Sequence, residues 1–293
     1  VFILDVNVQS MFARSAAGLL SEMFGTEVRI KTFYIQPDLR IHAEDLQMND
    51  KNNDTMFYVG TVNVKMSLRD LKNVKNEPKI KSINIDDFLV NIVRYENDDK
   101  SNIAEIFGKK EKKDKNKTPQ IHLDELNLND GHVIVWNQNK TPKRPVLMDY
   151  YHIDVDDIDM LLKDVSFDGD TITGYMNKLT ASEKSGFTID EFGSESKFIV
   201  SSKTLDFKNL IVKTHSTSLN LNLKFLYNNY NAYTKFVDSI MIVANIRPSQ
   251  LTLSDLEYFS KTMGKMTDTL QIQGLIVGTV SDFEANDFRF SFK

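Results

Sequence analysis

A short spacing of apolar residues recurs along the chain. In segment 41–48, apolar residues stand at offsets 0, 2, 5 and 7, with an acidic residue or asparagine just before the third of them. The same spacing returns in segments 83–90, 121–128, 153–160 and 205–212. Alternate residues of a strand share a face, so the odd step from offset 2 to offset 5 would move the second pair to the opposite face. One extra residue at the polar step, in a bulge or a tight bend, restores a single apolar face. The repeat predicts a sheet that is apolar on one side and charged on the other.

The rest of the chain is also dominated by strand-like segments. Roughly fifteen of them, set against two convincing helices, predict an all-β protein. The sequence Asn129-Asp130-Gly131 predicts a two-residue hairpin turn. Ser101 is a candidate N-cap for a short helix that reaches Phe107.

An amphipathic helix is predicted before the first strand. Apolar residues between positions 8 and 24 fall three and four apart, and Gly25 supplies the helix stop. The chain therefore divides into a helix over 1–25 and a repetitive β segment over 26–293. Within the β segment, the lysine-rich stretch 109–118 predicts a mobile loop. The helix residues expected to lie near a membrane are Val8, Met11, Phe12, Leu19, Leu20 and Met23.

The repeat leaves open what covers the apolar face. A second sheet would give a closed sandwich, which the periodicity alone favours. The alternative is a single, strongly curved sheet whose apolar face lines an open trough and needs a ligand with apolar tails. The residues that would line the trough are Ile83, Ile85, Phe88, Ile121, Leu123, Leu126, Ile153, Val155, Ile158, Leu205, Phe207 and Leu210.

Composition excludes several classes of function. The net charge of −5 and the pI near 5.6 argue against nucleic acid as the main partner. The absence of cysteine excludes disulfide frameworks and thiolate metal sites. The five histidines are scattered over separate predicted strands, and His42 and His122 share an outward-facing repeat position. We therefore expect no enzymatic activity, no cofactor and no metal.

Four aspartates in the fourth copy of the repeat resemble a cluster of calcium ligands. They lack the glycine and the distal glutamate of an EF-hand loop, so a solvated strand face is the favoured interpretation. These aspartates are Asp154, Asp156, Asp157 and Asp159.

Six segments of the chain stand in a distinctive order. They are VQSMFAR (8–14), LLSEMFGTEVRI (19–30), LRIHAEDLQMND (39–50), EKSGF (183–187), LIVKTHS (210–216) and DLEYF (255–259). Their order resembles the AsmA-like superfamily of bacterial envelope proteins, and within it the TamB-type proteins of Bacteroidota. The resemblance covers most of the chain, from residue 8 to about residue 278.

This resemblance implies a fold, a location and a function. It implies a long, curved, groove-like antiparallel sheet on the periplasmic side of the inner membrane, following a single-pass anchor upstream of residue 1. It also implies a C-terminal domain, outside this chain, that meets an outer-membrane barrel of the Omp85 type. The implied function is phospholipid transfer between the two membranes, in a groove that shields acyl tails. An alternative is a scaffold that assists outer-membrane protein assembly. The resemblance favours the trough over the sandwich.

Overall fold

The fold is taken from a computed structural model of the chain. It describes residues 14, 17–18, 21, 26–36, 40–66, 79–107, 121–142, 147–259 and 266–292. The predicted helix over 8–24 lies largely outside the described residues, although Arg14, Ala17, Gly18 and Ser21 are helical. The predicted loop over 109–118 also lies outside them.

Fifteen strands account for most of the described chain, so the all-β prediction is confirmed. The strands are β1 (Val28–Ile35), β2 (Arg40–Asn49), β3 (Thr55–Met66), β4 (Lys79–Arg94), β5 (Ile121–Asn137), β6 (His152–Asp168), β7 (Thr171–Glu183), β8 (Thr188–Ile189), β9 (Glu191–Ser194), β10 (Phe198–Val200), β11 (Thr204–Lys213), β12 (Ser218–Leu226), β13 (Met241–Thr252), β14 (Thr269–Gly278) and β15 (Phe283–Phe292). The helices whose bounds the structure describes are α1 (Asn102–Phe107), α2 (Phe236–Ser239) and two 3-10 helices, Tyr230–Lys235 and Leu253–Leu256.

All fifteen strands belong to one open sheet. Its order is β1-β2-β3-β4-β5-β6-β7-β10-β11-β12-β13-β14-β15, with β8 paired to β7 and β9 paired to β11. Most neighbours with a defined register are antiparallel, as expected. The pair β4–β5 is parallel instead. Parallel neighbours need a crossover of a dozen or more residues, and the sequence between the end of β4 at Arg94 and the start of β5 at Ile121 is long enough for one.

The chain divides into two compact units. The first comprises Val1–Pro145, Asp149–Asp159 and Ser182–Lys184. The second comprises Val146–Met148, Met160–Ala181 and Ser185–Lys293. Each unit is described by itself below.

In the first unit, α1 covers one end of strands β1–β3. Ile103 packs on a buried cluster of Val28, Met48 and Met56, and Met56 is fully buried. Asn102, 2% exposed, fixes the helix, because its side-chain oxygen accepts the backbone N–H of Val93 at 3.0 Å. We call Val28, Met48, Met56 and Ile103 the capped cluster.

The predicted bend at the polar step of the repeat is confirmed in four of its five copies. The residue before the third apolar position has a left-handed backbone at Asp45 (φ 50°), Asp87 (φ 56°), Asp157 (φ 52°) and Asn209 (φ 52°). Asp and Asn tolerate this conformation better than other residues with a side chain. In β11 the bend is a true bulge, since the register with β12 shifts by one residue between Phe207 and Leu210.

The third copy was assigned to the wrong frame. Glu125 has no left-handed backbone, and the bend lies at Asp130 (φ 52°) instead. The matching frame in β5 is segment 126–133, in which Leu126, Leu128 and Val133 take the apolar offsets. The predicted hairpin at Asn129–Gly131 is also wrong, because β5 passes straight through it while paired with β4.

Candidate functional site

Four rows of apolar residues cross the first five strands in register. Strands β1 and β3 also carry apolar residues at the four offsets of the repeat, and Lys31 and Gly60 lie at the polar step. The sequence prediction did not include these two copies. The rows are Ile35-Ile41-Val64-Ile83-Leu126, Phe33-Ala43-Val62-Ile85-Leu128, Ile30-Leu46-Val59-Phe88-Gly131 and Val28-Met48-Phe57-Val90-Val133. We number them rows one to four.

A polar line separates row two from row three, and we call it the crease. The register places Lys31, Asp45, Gly60, Asp87 and Asp130 side by side. In these strand pairs no register shift occurs at the crease, although the backbone there is left-handed at Asp45, Asp87 and Asp130 and not at Lys31 or Gly60. The polar step therefore runs as one continuous line across five strands.

Contacts at the crease explain why the apolar rows keep one face. The Lys31 ammonium donates to Asp45 at 2.8 Å, which raises the pKa of Lys31, and Glu44 contacts the polar-face ring of His42 at 2.9 Å. Glu44 and Asp45, although consecutive, therefore both point to the polar face. Because two neighbours share that face, the next residue, Leu46, returns to the apolar face despite the odd step in the repeat. Tyr58 also donates to Asp45 at 2.7 Å, and this hydrogen bond raises the pKa of Tyr58 to about 12.

Close packing across the crease restricts two glycines. A Cβ on Gly60 would stand 2.8 Å from a carboxylate oxygen of Asp87. A Cβ on Gly131 would stand 2.0 Å from the ring of Phe88, which therefore occupies the space above Gly131 in row three. Glycine is required at both positions for the neighbouring side chain to take its place.

Rows one and two are not sealed. Their members are half-buried, except Ala43, which is buried. A sandwich core would bury such residues completely. The described strands all belong to the same sheet, so the described part of the chain contains no separate second sheet over these rows. We call rows one and two the open rows.

Most of the predicted trough residues are half-buried, and a minority are buried. The half-buried ones are Ile83, Ile85, Phe88, Ile121, Leu126, Ile153, Val155 and Leu205. The buried ones are Leu123 (2% exposed), Ile158 (8%), Phe207 (5%) and Leu210 (0%). Ile83, Ile85, Phe88 and Leu126 fall together in rows one to three.

Phe207 and Leu210 belong to a closed core in the second unit. Phe192 on β9 and Phe198 on β10 pack against Phe207, with ring centroids 5.2 and 5.6 Å away. β9 also pairs with β11 at Leu210. Phe207 and Leu210 are therefore buried by neighbours within the same sheet.

Three segments that carry the sequence resemblance each contribute residues to one cluster in the second unit. The ring of Phe187 packs edge-on against Tyr258 and Phe259, with centroids 5.7 and 5.2 Å away. The Thr214 hydroxyl donates to the Asp255 carboxylate. Segments 183–187, 210–216 and 255–259 thus contribute to a single packing cluster, which gives them a structural role.

The histidines and aspartates of the first unit lie in polar networks. His42 bonds Asn63 at 2.7 Å and Glu44 at 2.9 Å. His132 bonds Asp154 at 2.7 Å and lies 3.2 Å from Asp156, an arrangement that the sequence spacing did not predict.

These networks do not assemble the four predicted aspartates into one calcium loop. Asp157 forms a bend, and Asp159 accepts the backbone N–H of Asp130. Burial alone would raise the pKa of Asp154, but hydrogen bonds from Lys184 and His132 outweigh it, and the pKa is lowered. The Lys184 ammonium, 2.9 Å from Asp154, already balances this carboxylate.

The six predicted membrane-proximal residues, Val8, Met11, Phe12, Leu19, Leu20 and Met23, lie outside the described residues. Within the described ranges, no helix has the length and apolar character required to span a bilayer.

No protein-family model matches this chain, and no curated protein matches it. The resemblance to TamB-type proteins therefore stays a prediction.

Proposed function

We propose that this chain is the membrane-proximal segment of a bridge-like lipid transfer protein, which shields phospholipid acyl tails between the inner and outer membranes. The observation that carries the proposal is the pair of open rows. They place apolar side chains in register across five adjacent strands without sealing them. Apolar surface of this continuity is uncommon on a soluble protein unless a ligand or partner covers it.

The open rows account for holding a tail and for letting it move. Burying each tail methylene contributes about 0.8 kcal/mol, without any directional contact. Equivalent positions repeat from strand to strand, as in Phe33, Val62 and Ile85 of row two, so neighbouring positions have similar affinity. A lipid can then slide across the rows with no covalent step.

The location is part of the same proposal. The segment would stand in the periplasm behind an inner-membrane anchor, and a further domain would contact an Omp85-type barrel. The support is the sequence resemblance together with the open, all-β sheet.

The experiment places paired charges on either face of the same two strands. Val62 and Ile85 are cross-strand partners in row two, and the neighbouring pair Asn63 and Asn84 points the opposite way. V62D/I85D should abolish uptake of a fluorescent phospholipid from detergent-free vesicles. N63D/N84D adds the same charges at the same depth in the strands and should leave uptake intact. Leu123 is unsuitable for this test, because a charge at a buried position would unfold the chain.

The comparison of the two variants decides the outcome. Thermal unfolding should show that both are folded. Equal uptake by wild type, V62D/I85D and N63D/N84D would exclude the open rows as the lipid site, and so would a wild-type chain that takes up no phospholipid.

A second candidate function rests on β15. Among the described strands, β15 lies at an edge of the sheet, and Phe290 and Phe292 are 63% and 69% exposed. An exposed edge strand can add a strand from another chain, which is what a scaffold for barrel assembly would need. F290S/F292S would then weaken capture of a barrel-derived strand peptide while phospholipid uptake stays unchanged. The opposite pattern favours lipid transfer alone.

A further inference from the structure

Helix α1 covers one end of the apolar face. Rows one to four follow one another along the strands, so the open rows lead into rows three and four. Ile103 of α1 packs there on Val28 and Met48, the row-four residues of the capped cluster. Both are 5% exposed, whereas Val62 and Ile85 of row two are half-buried. Row four is therefore already covered by protein, and a ligand that runs along the strands meets α1 at this end.

Buried hydrogen bonds hold α1 in this position, because a helix of six residues is too short to be stable alone. Asn102 is 2% exposed, and its side-chain oxygen accepts the backbone N–H of Val93 at 3.0 Å. Its side-chain amide donates to the backbone oxygen of Asn91 at 3.0 Å and to the Asp50 carboxylate at 3.1 Å. Moving α1 aside would break these bonds and leave buried polar groups unpaired. The helix is therefore a fixed wall and not a movable lid.

The space between row one and α1 is about as deep as one bilayer leaflet. From Ile83 in row one to Phe88 in row three, the strand advances ~16 Å, at about 3.3 Å per residue. The hydrocarbon core of a bilayer is ~30 Å thick, so one leaflet is ~15 Å deep. The crease does not interrupt this path, because Lys31 and Asp45 pair on the polar face. An acyl tail laid along the strands would thus cover both open rows and reach row three before it meets α1.

We propose that Ile103 is the stop that sets the longest acyl tail the groove accepts. The tail enters beside row one, lies along the strands over rows one to three, and ends with its methyl group at Ile103. A tail longer than this space keeps methylenes that no protein surface covers. This inference rests on the proposed function and adds a selectivity for tail length, together with the residue that determines it.

The experiment offers the intact chain phospholipids that differ only in tail length. Vesicles of dioleoyl phosphatidylcholine carry equal trace amounts of phosphatidylcholines with two lauroyl, myristoyl, palmitoyl, stearoyl or behenoyl tails. After equilibration, native mass spectrometry identifies the bound lipids. A methylene that fits the groove exchanges one apolar environment for another, so tails up to the limit should bind equally. Each methylene beyond the limit loses its apolar surroundings and should lower binding about fourfold. We expect the wild type to show such a limit within the series.

Four variants test the assignment to Ile103. Ile103→Ala vacates most of the side-chain volume, so the first excluded lipid should bind at least fourfold better relative to the shorter ones. Ile103→Val is a smaller truncation that keeps the fold and should move the limit in the same direction. Ile103→Leu conserves the volume and should keep the wild-type limit. Ile134→Ala makes the matched truncation at another half-buried isoleucine, on the opposite face of β5, and should leave the limit unchanged.

Each remaining outcome counts against the inference. Equal binding of all tail lengths by the wild type overturns the stop but leaves the proposed function standing. The wild-type limit in both Ile103→Ala and Ile103→Val would place the stop elsewhere. A limit that also moves in Ile134→Ala would assign it to overall stability. A wild type that binds none of the phospholipids overturns the proposed function itself.

Discussion

The capped cluster and the open rows are built from the same repeat, yet they meet different surroundings. In row four, Val28 and Met48 are 5% exposed under Ile103. In row two, Val62 and Ile85 have the same apolar character and stand at the inner offsets of the same repeat, but they remain half-buried. Part of the difference comes from α1, because Ile103 packs on the capped cluster together with Ile30, Leu46 and Phe57 of the sheet. The repeat thus supplies apolar surface everywhere, and a six-residue helix helps to decide which part becomes core.

The largest expected effect tests this contrast in stability. Met56→Ala should lower the free energy of unfolding by about 2–5 kcal/mol, because a fully buried side chain leaves a cavity. Val62→Ala should lower it by about 1 kcal/mol or less, since half-buried methyl groups lose less burial. Urea denaturation of both variants measures the two costs. Equal losses would mean that row two is as sealed as the capped cluster.

A smaller effect is expected at the crease, which keeps both regions on one face. Asp87 has φ 56°, so Asp87→Ala should cost about 1 kcal/mol from the left-handed backbone. Asp87→Gly tolerates that backbone and should cost less, although both variants lose the same carboxylate. If denaturant unfolding finds the two variants equally stable, backbone conformation is not what the aspartate provides.

The smallest effect concerns pH. Hydrogen bonds from Lys31 and Tyr58 lower the pKa of Asp45. A lowered folded-state pKa stabilises the fold above the usual aspartate range and loses that contribution as the pH falls through the lowered value. The stability gap between wild type and Asp45→Asn should therefore be widest near neutral pH and close below about pH 4. A gap that widens in acid would contradict this assignment.

The sequence predicts the sheet and the bend better than it predicts what lies over them. The bends at Asp45, Asp87, Asp157 and Asn209 follow from local chemistry, because the odd step in the repeat demands them. The frame of β5 was missed because segment 121–128 fits the same spacing by its own apolar residues. The parallel pairing of β5 with β4 depends on a long connection, which leaves no pattern within β5 itself. The dipeptide Asp130-Gly131 is suited to a bend within a strand as well as to a hairpin turn.

Burial was the least predictable property. Phe207 and Leu210 match the repeat as well as Ile83 and Ile85 do. They are closed because the short strands β9 and β10 bring Phe192 and Phe198 against Phe207 and pair with β11. Nothing in the spacing of β11 reveals a contact made by residues up to fifteen positions earlier.

Site-specific photo-cross-linking tests the central claim most directly. A photoreactive amino acid replaces Val62 in one preparation and Asn63 in another, and each protein is loaded with a phospholipid and irradiated. The two positions are adjacent in β3 but point to opposite faces. We predict a lipid adduct at position 62 and none at position 63. Equal adducts at both positions, or none at position 62, would contradict a lipid site on the open rows.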